Sequence, residues 1–284
     1  MTLKHFRVAL AAALLAGCAQ LTADRPTAVE RIYVIECGEN HVKDVSRWTP
    51  GANAGKPWVF ANHCYLIRHA RGGWFLWDTG NPDRLAALPN GLPNPAMGIT
   101  AYMKKPLAES LKEIGLAPGD IGHLALSHWH GDHSSNANLF TAAVIYMQQP
   151  EYETVFGAEA QKRGIPVANF EKLRASPVRK LNGDHDVFGD GSVVIKSTPG
   201  HTVGHQVLVV RLPNSGLVVL SGDMVHMMDN WKAMRVPSFN FDQAASVRSM
   251  KQIEAYMAQT GAKLWINHDK EQNASIPKAP APVR

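Results

Sequence analysis

Six consecutive residues, His128-Trp129-His130-Gly131-Asp132-His133, carry four potential metal ligands. On a strand or helix these side chains would be spread around the backbone axis, whereas on a tight loop they can converge. Imidazole nitrogens suit a borderline divalent ion such as zinc, and a carboxylate among them adds charge. Three further ligand types, His201, Asp223 and His268, each follow a short apolar run that reads as a strand. Loops at strand ends are where a sheet scaffold exposes convergent polar groups. Any one of these residues taken alone reads as an ordinary polar group. The set of seven reads as a metal centre.

The elements that must position them follow from periodicity. Arg31 to Cys37 reads as a first strand, and the polar, Pro- and Gly-containing stretch from Gly38 to Asn62 as a long loop. Cys64 to Ile67 and Trp74 to Trp77 form a hairpin turning near Arg71-Gly72-Gly73 and running into Asp78-Thr79-Gly80. Lys105 to Ile114 has helical spacing, closed by Gly115 and Pro118. Ile121 to Ser127 is a buried strand that ends on the histidine cluster. Strand Ala143 to Met147, helix Glu151 to Phe156 and a strand pair around Gly189-Asp190-Gly191 follow. Gln206 to Leu212 and Leu217 to Ser221 make another hairpin. In the helix Asp242 to Thr260, Val247, Met250, Ile253 and Met257 share one face. Lys263 to Asn267 is the last strand. Intermixed strands and helices place the chain in the α/β or α+β class.

The 284 residues carry 29 Lys and Arg against 24 Asp and Glu, a formal charge of +5. No dense basic run interleaved with aromatics occurs, so nucleic acid is not an expected partner. Residues 1–18 read as a signal segment: basic Lys4, His5 and Arg7, a short apolar run from Val8 to Ala16, then Leu15-Ala16-Gly17-Cys18, which resembles a bacterial lipobox. Export with a lipid on Cys18 is therefore expected, the only membrane contact, with Ala19 pointing to the outer membrane facing the periplasm. A soluble periplasmic or secreted form is the alternative. Residues 19–28 read as a tether, 29–273 as the folded domain, and 274–284 as a Pro-rich tail, extended or disordered. In an oxidising compartment Cys37 and Cys64 either pair or sit as small buried apolar residues.

The full pattern carries a resemblance. His-x-His-x-Asp-His at 128–133, His201 in Thr-Pro-Gly-His-Thr-Val-Gly-His, Asp223 in Ser-Gly-Asp, a late His268, and Asp78-Thr79-Gly80 together resemble the metallo-β-lactamase superfamily over residues 30 to 270. The resemblance implies an αββα sandwich of two mixed sheets flanked by helices, with two Zn2+ per chain, other divalent ions remaining open. It implies that His128, His130 and His201 hold one ion, that Asp132, His133 and His268 hold the second, and that Asp223 bridges them. Two ions that close can share a hydroxide, because each lowers the pKa of bound water. Asp132 is then also a candidate to receive the nucleophile's proton, and Asp78 to orient a ligand. His205 reads as structural. His41, His63, His69, His123 and His185 read as ordinary polar residues.

Gln148-x-x-Glu151-Tyr-Glu, the element around His201, and Asn267-His268-Asp269 resemble the N-acyl-homoserine lactonases. That branch implies opening of a lactone ring on a small acylated substrate, quorum quenching, and leaves a homodimer open. An acyl chain needs an apolar groove, for which Met224, Met227, Met228, Trp231, Met234, Trp48 and Trp58 are candidates or, equally, core. In one departure His226 stands where the branch usually has Tyr, and is a candidate catalytic group. The alternatives are another hydrolase on the same fold (a β-lactamase, a glyoxalase II-like thioesterase or an organophosphate hydrolase), an iron redox enzyme, or a non-enzymatic lipoprotein.

Overall fold

The computed structural model describes residues 27–284. The signal segment, Cys18 and tether residues 19–26 lie outside the described residues. Thr27 and Ala28, expected in the tether, are already tied down: the Thr27 hydroxyl donates to the Arg211 carbonyl (2.8 Å), and the Ala28 carbonyl accepts from the Ala70 amide.

The chain runs through β1 (Val29–Val42), β2 (Trp58–His69), β3 (Gly73–Trp77), β4 (Leu92–Asn94), β5 (Ile99–Tyr102), α1 (Leu107–Glu113), β6 (His123–Ala125), α2 (Gly131–Ser134), β7 (Val144–Gln148) and α3 (Gln149–Phe156). It continues with β8 (Val178–Leu181), β9 (His185–Asp186), β10 (Val193–Ser197), β11 (Gln206–Leu212), β12 (Gly216–Leu220), α4 (Met228–Lys232), α5 (Gln243–Thr260), β13 (Lys263–Trp265) and α6 (Lys270–Asn273). The strands form an eight-stranded sheet in the order β4-β5-β1-β2-β3-β6-β7-β8 and a five-stranded sheet in the order β13-β12-β11-β10-β9.

Strand alternation sorts the apolar residues into layers. Ile32, Val34, Ile67, Phe75 and Trp77 of the large sheet meet Ile195, Leu208, Val210, Val218 and Leu220 of the small one. The opposite face of the large sheet, with Tyr33, Ile35, Leu66, Leu76 and Ile145, packs on Leu107 and Leu111 of α1 and on Phe140 and Phe170. The opposite face of the small sheet, with Val207, Val209 and Val219, packs on Met250 and Ile253 of α5. Two mixed sheets with helices on their outer faces result, as the family resemblance implies.

Two expectations change, and one open alternative is decided. The long loop shrinks, because β1 continues to Val42 across a bulge at Glu36/Gly38 and β2 begins at Trp58. Asn40 pairs with Phe60 in this extension, and its polar side chain faces the metal-ligand loop rather than the core, which is why the segment reads as loop. The tail is docked rather than loose: the Ala279 amide donates to the Val34 carbonyl, Val283 bridges to Ile32, and Ile276 and Val283 pack on the inter-sheet core. Finally, Cys37 and Cys64, both fully buried, form a disulfide between β1 and β2.

Candidate metal centre and substrate cleft

All seven candidate ligands lie at one edge of the two sheets, six of them on loops that leave parallel strand pairs and His201 in the turn of an antiparallel pair. Asp78 follows β3, and His128 to His133 follow β6, its parallel neighbour. Asp223 follows β12, and His268 follows β13, also its parallel neighbour. His201 lies in the turn between β10 and β11. The two sheets are pinned together beside the site, where the Gln206 amide donates to the Ser127 carbonyl and the Gln206 side chain donates to the Leu126 carbonyl. Gly222 has φ of +47°, and a Cβ there would stand 2.6 Å from that of Ser127, so only glycine lets the Asp223 loop approach the histidine loop this closely.

The Asp223 carboxylate sits at the centre. Its Oδ1 lies 3.0 Å from His133 Nε2 and 2.9 Å from His268 Nε2; its Oδ2 lies 3.3 Å from His201 Nε2, 3.1 Å from His226 Nε2 and 3.8 Å from His128 Nε2. The two oxygens therefore address two separate groups. In the first, His130 Nδ1 is 2.8 Å from His128 Nε2 and 2.9 Å from His201 Nε2. In the second, His133 Nε2 and His268 Nε2 are 3.2 Å apart, with Asp132 Oδ2 at 4.0 Å and 3.7 Å from them.

The opposite ring atom of most of these histidines is committed. His133 Nδ1 donates to Asp78 Oδ2 (2.9 Å), His201 Nδ1 to Asn240 Oδ1 (2.9 Å) and His268 Nδ1 to the Ala61 carbonyl (2.6 Å); His128 Nδ1 donates to Ser127 Oγ (3.0 Å). A proton fixed on Nδ1 leaves an Nε2 lone pair aimed inward. Asp223 Oδ1 is buried without a partner in hydrogen-bond geometry. Lone pairs packed against one another around an orphaned carboxylate oxygen fit two divalent cations and little else.

The electrostatics of the two groups differ. Burial, reinforced by the neighbouring rings, holds His128 well below the usual imidazole range, and burial likewise lowers His201 and takes His130 to about 4. These three are neutral at pH 7. Burial also opposes charge on His133 and His268, but Asp223, with Asp78 beside His133 and Asp132 near both, outweighs it and raises both. Burial would raise Asp223, yet the rings of His268, His133, His226 and His128 keep it well below the carboxylate range.

The model of the metallo-beta-lactamase superfamily matches residues 57–258. The chain belongs to the metallo-β-lactamase superfamily. Among curated relatives, it is 28% identical over 257 residues to the N-acyl homoserine lactonase AttM of Rhizobium radiobacter, covering 88% of this chain and 97% of that one. It is 29% identical over 258 residues to the N-acyl homoserine lactonase AiiA of Bacillus thuringiensis subsp. kurstaki, covering 87% and 96%. Among solved structures, an N-acyl homoserine lactone hydrolase with the product N-hexanoyl-L-homoserine bound at its catalytic metal center superposes with a TM-score of 0.77. That match has 27% identity and covers 90% of this chain and 100% of the other.

Within this metallo-β-lactamase fold, several residues near the site carry more than their sequence signal suggested. His205, read as structural, accepts from the Asp223 amide at Nε2 (2.9 Å) and lies 2.9 Å from the Thr198 hydroxyl at Nδ1, so it orients the central carboxylate. His63, read as ordinary, is buried and holds Asn267, the residue before His268, by two hydrogen bonds. Asn40 donates to Asp132 Oδ2 (2.8 Å), and Asn62 donates to the Asp132 carbonyl. Asn240 carries no signal in sequence, because an Asn 39 residues from its histidine resembles any loop residue.

A cavity of about 810 Å3 opens onto the centre. Asp132, His130, His201, Asp223, His226 and His268 line its floor; Trp48, Phe60, Leu85, Leu92, Met97, Ile99 and Phe239 line its walls. Trp48 is the one residue of the expected Met and Trp set that reaches the cavity. Met224, Met228, Trp231 and Met234 pack instead in the core beneath α5, because the 3-10 turn at Gly222–Met224 directs them inward. Met227 packs in the satellite cluster with Trp48 and Phe60, and Trp58 lies against it.

Proposed function

We propose that this protein is a metal-dependent hydrolase that opens the lactone ring of N-acyl homoserine lactones. The observation that carries the reading is a two-lobed ligand set around Asp223 at the floor of an apolar-walled cavity. His128, His130 and His201 would hold one ion, Asp132, His133 and His268 the other, and Asp223 both. Zinc suits this donor set of imidazoles and carboxylates best. Two such ions supply Lewis acidity to a lactone carbonyl and bring the pKa of water towards neutrality.

The chain's own residues do the rest. Asp132 is the ligand-set carboxylate that opens to the cavity, its side chain 24% exposed. With Oδ2 fixed by Asn40, it is the group placed to take a proton from attacking water and return it to the ring oxygen as it leaves. His226 lines the same floor, with Nε2 3.1 Å from Asp223 Oδ2 and Nδ1 buried without a partner. It is the catalytic candidate for a hydrogen bond to substrate oxygen. Trp48, Phe60, Ile99 and Phe239 bury the acyl chain and shield the reacting carbonyl from bulk water.

For the address, we propose an exported lipoprotein anchored through Cys18 at the outer membrane, on the lipobox-like Leu15-Ala16-Gly17-Cys18. Incorporation of labelled fatty acid that disappears in Cys18→Ser tests this; equal labelling refutes it. The activity is tested by acid release from N-acyl homoserine lactones of four to twelve acyl carbons, with nitrocefin alongside. Turnover of the lactones with nitrocefin untouched is expected. Nitrocefin turnover without lactone opening overturns the reading.

A further inference from the structure

Glu151 is a buried carboxylate, 1% exposed, in the first turn of α3, outside the ligand set and out of reach of the cavity. Every polar contact it makes goes to the two loops that carry the first group of histidines. Its Oε1 accepts from the Trp129 amide (2.9 Å), the peptide between His128 and His130, and from the hydroxyl of Thr202 (2.9 Å), next to His201. Its Oε2 accepts from the Gly204 amide (2.8 Å) in the same turn as His201. A Cβ on Gly204 would stand 2.6 Å from Glu151 Cβ and 2.7 Å from its amide nitrogen, so the turn is built to lie directly on this side chain. Burial raises its pKa to about 7 despite three donors, the signature of a charge kept away from water for the sake of what it holds.

We propose that Glu151 is a positioning residue for one of the two metal positions, clamping the His128/His130 loop to the His201 loop so that their nitrogens converge. The inference rests on the two-ion reading above. The second group is held differently, through contacts made directly to its own ligand side chains by Asp78, by the Ala61 carbonyl and by Asn40. The Gln206 hydrogen bonds join the same two regions, but at the strand ends, upstream of the ligands. They maintain the sheet packing and leave the loop tips to Glu151.

Two backbone amides and a hydroxyl all donate to this side chain, so an amide cannot replace the carboxylate. In Glu151→Gln an NH2 faces a backbone N–H whichever way it turns. Its effect should fall on one ion only. Residues that orient metal ligands typically contribute about 10- to 100-fold in affinity.

The experiment is a competitive chelator titration of the stripped full-length protein with Zn2+, and with Co2+ followed by its visible spectrum, for wild type, Glu151→Gln and Thr202→Val. Wild type should take up two ions. Glu151→Gln should weaken one of them 10- to 100-fold and change the cobalt spectrum of that ion alone. Thr202→Val, which keeps both amide contacts, should weaken the same ion by less than tenfold. Two ions bound by Glu151→Gln with wild-type affinity, whatever its melting temperature, would overturn the proposal, as would equal weakening of both. A wild type that binds no metal overturns this inference and the two-ion reading together. A wild type that binds two ions but opens no lactone refutes only the proposed substrate.

Discussion

Replacing Asp78 by Asn isolates how one buried carboxylate prepares a ligand it never shares with the metal. Asp78 is fully buried and accepts three hydrogen bonds: from the Ser127 amide (2.6 Å), the Ser127 hydroxyl (2.9 Å) and His133 Nδ1 (2.9 Å). Its φ of +60° is a left-handed conformation that Asn tolerates well, so backbone strain does not confound the substitution. An Asn keeps one acceptor. If its oxygen takes the Ser127 amide, its NH2 faces His133 Nδ1 and moves the ring proton to Nε2, removing the lone pair that would meet the metal. If the oxygen turns to His133, the Ser127 amide is orphaned. Either loss costs about 1–3 kcal/mol. With a shift of about 2–4 °C per kcal/mol for a chain of this size, Tm should fall by about 2–12 °C. Metal affinity at the second position should fall about 10- to 100-fold, and that at the first position by less, because Asp78 reaches His128 only through the Ser127 hydroxyl. Thermal denaturation and chelator competition measure the two effects. An Asp78→Asn protein that binds both ions as wild type does would refute the tautomer argument.

Other consequences follow from the same geometry. In the metal-free protein His133 and His268 are raised above the usual imidazole value, so protons compete for the second position as pH falls through those pKa values. His128, His130 and His201 are lowered and stay neutral. Lowering pH from 8 to 6 should therefore release one ion well before the other, with proton uptake measurable by calorimetry in two buffers; simultaneous loss would contradict this. Phe239→Ala and Ile99→Ala should lower kcat/KM about tenfold on a decanoyl lactone and less than twofold on a butanoyl one, since each buried methylene contributes about 0.8 kcal/mol. An equal loss on both would remove these walls from substrate binding. The Cys37–Cys64 bond spans a separation of 27 residues. A loop of that length corresponds to about 3.5 kcal/mol by chain entropy, so Cys64→Ala should lower the urea midpoint by that equivalent; an unchanged midpoint would show the bond to be energetically idle.

The ligands were legible in sequence because metal chemistry restricts residue type and spacing so strongly. Four potential ligands within six residues after an apolar strand have few other uses. The layers were legible because buried faces alternate, as in Tyr33 and Ile35 against Ile32 and Val34. The supporting residues were not. Asn40, Asn62, Asn240 and His205 act through hydrogen bonds to residues 92, 70, 39 and 18 positions away, and such contacts leave no local pattern. The polar end of β1 read as loop because Asn40 faces the site instead of a core and Glu39 and His41 pair with polar partners. For the Met and Trp residues after Asp223 the sequence left groove and core equally open, because composition does not encode the direction in which they point. The Pro-rich tail read as loose for the same reason: its anchoring hydrogen bonds are to β1, almost 250 residues away.

The central claim is that paired cations around Asp223 open a lactone. The direct measurement is to strip the protein of metal, add Zn2+ back in steps, and follow acid release from N-hexanoyl homoserine lactone beside bound-metal content, for wild type and Asp223→Ala. Activity should be absent without metal and rise to a maximum at two ions per chain, and Asp223→Ala should lose metal and turnover together. Full turnover by the stripped protein, or by Asp223→Ala, would contradict the account.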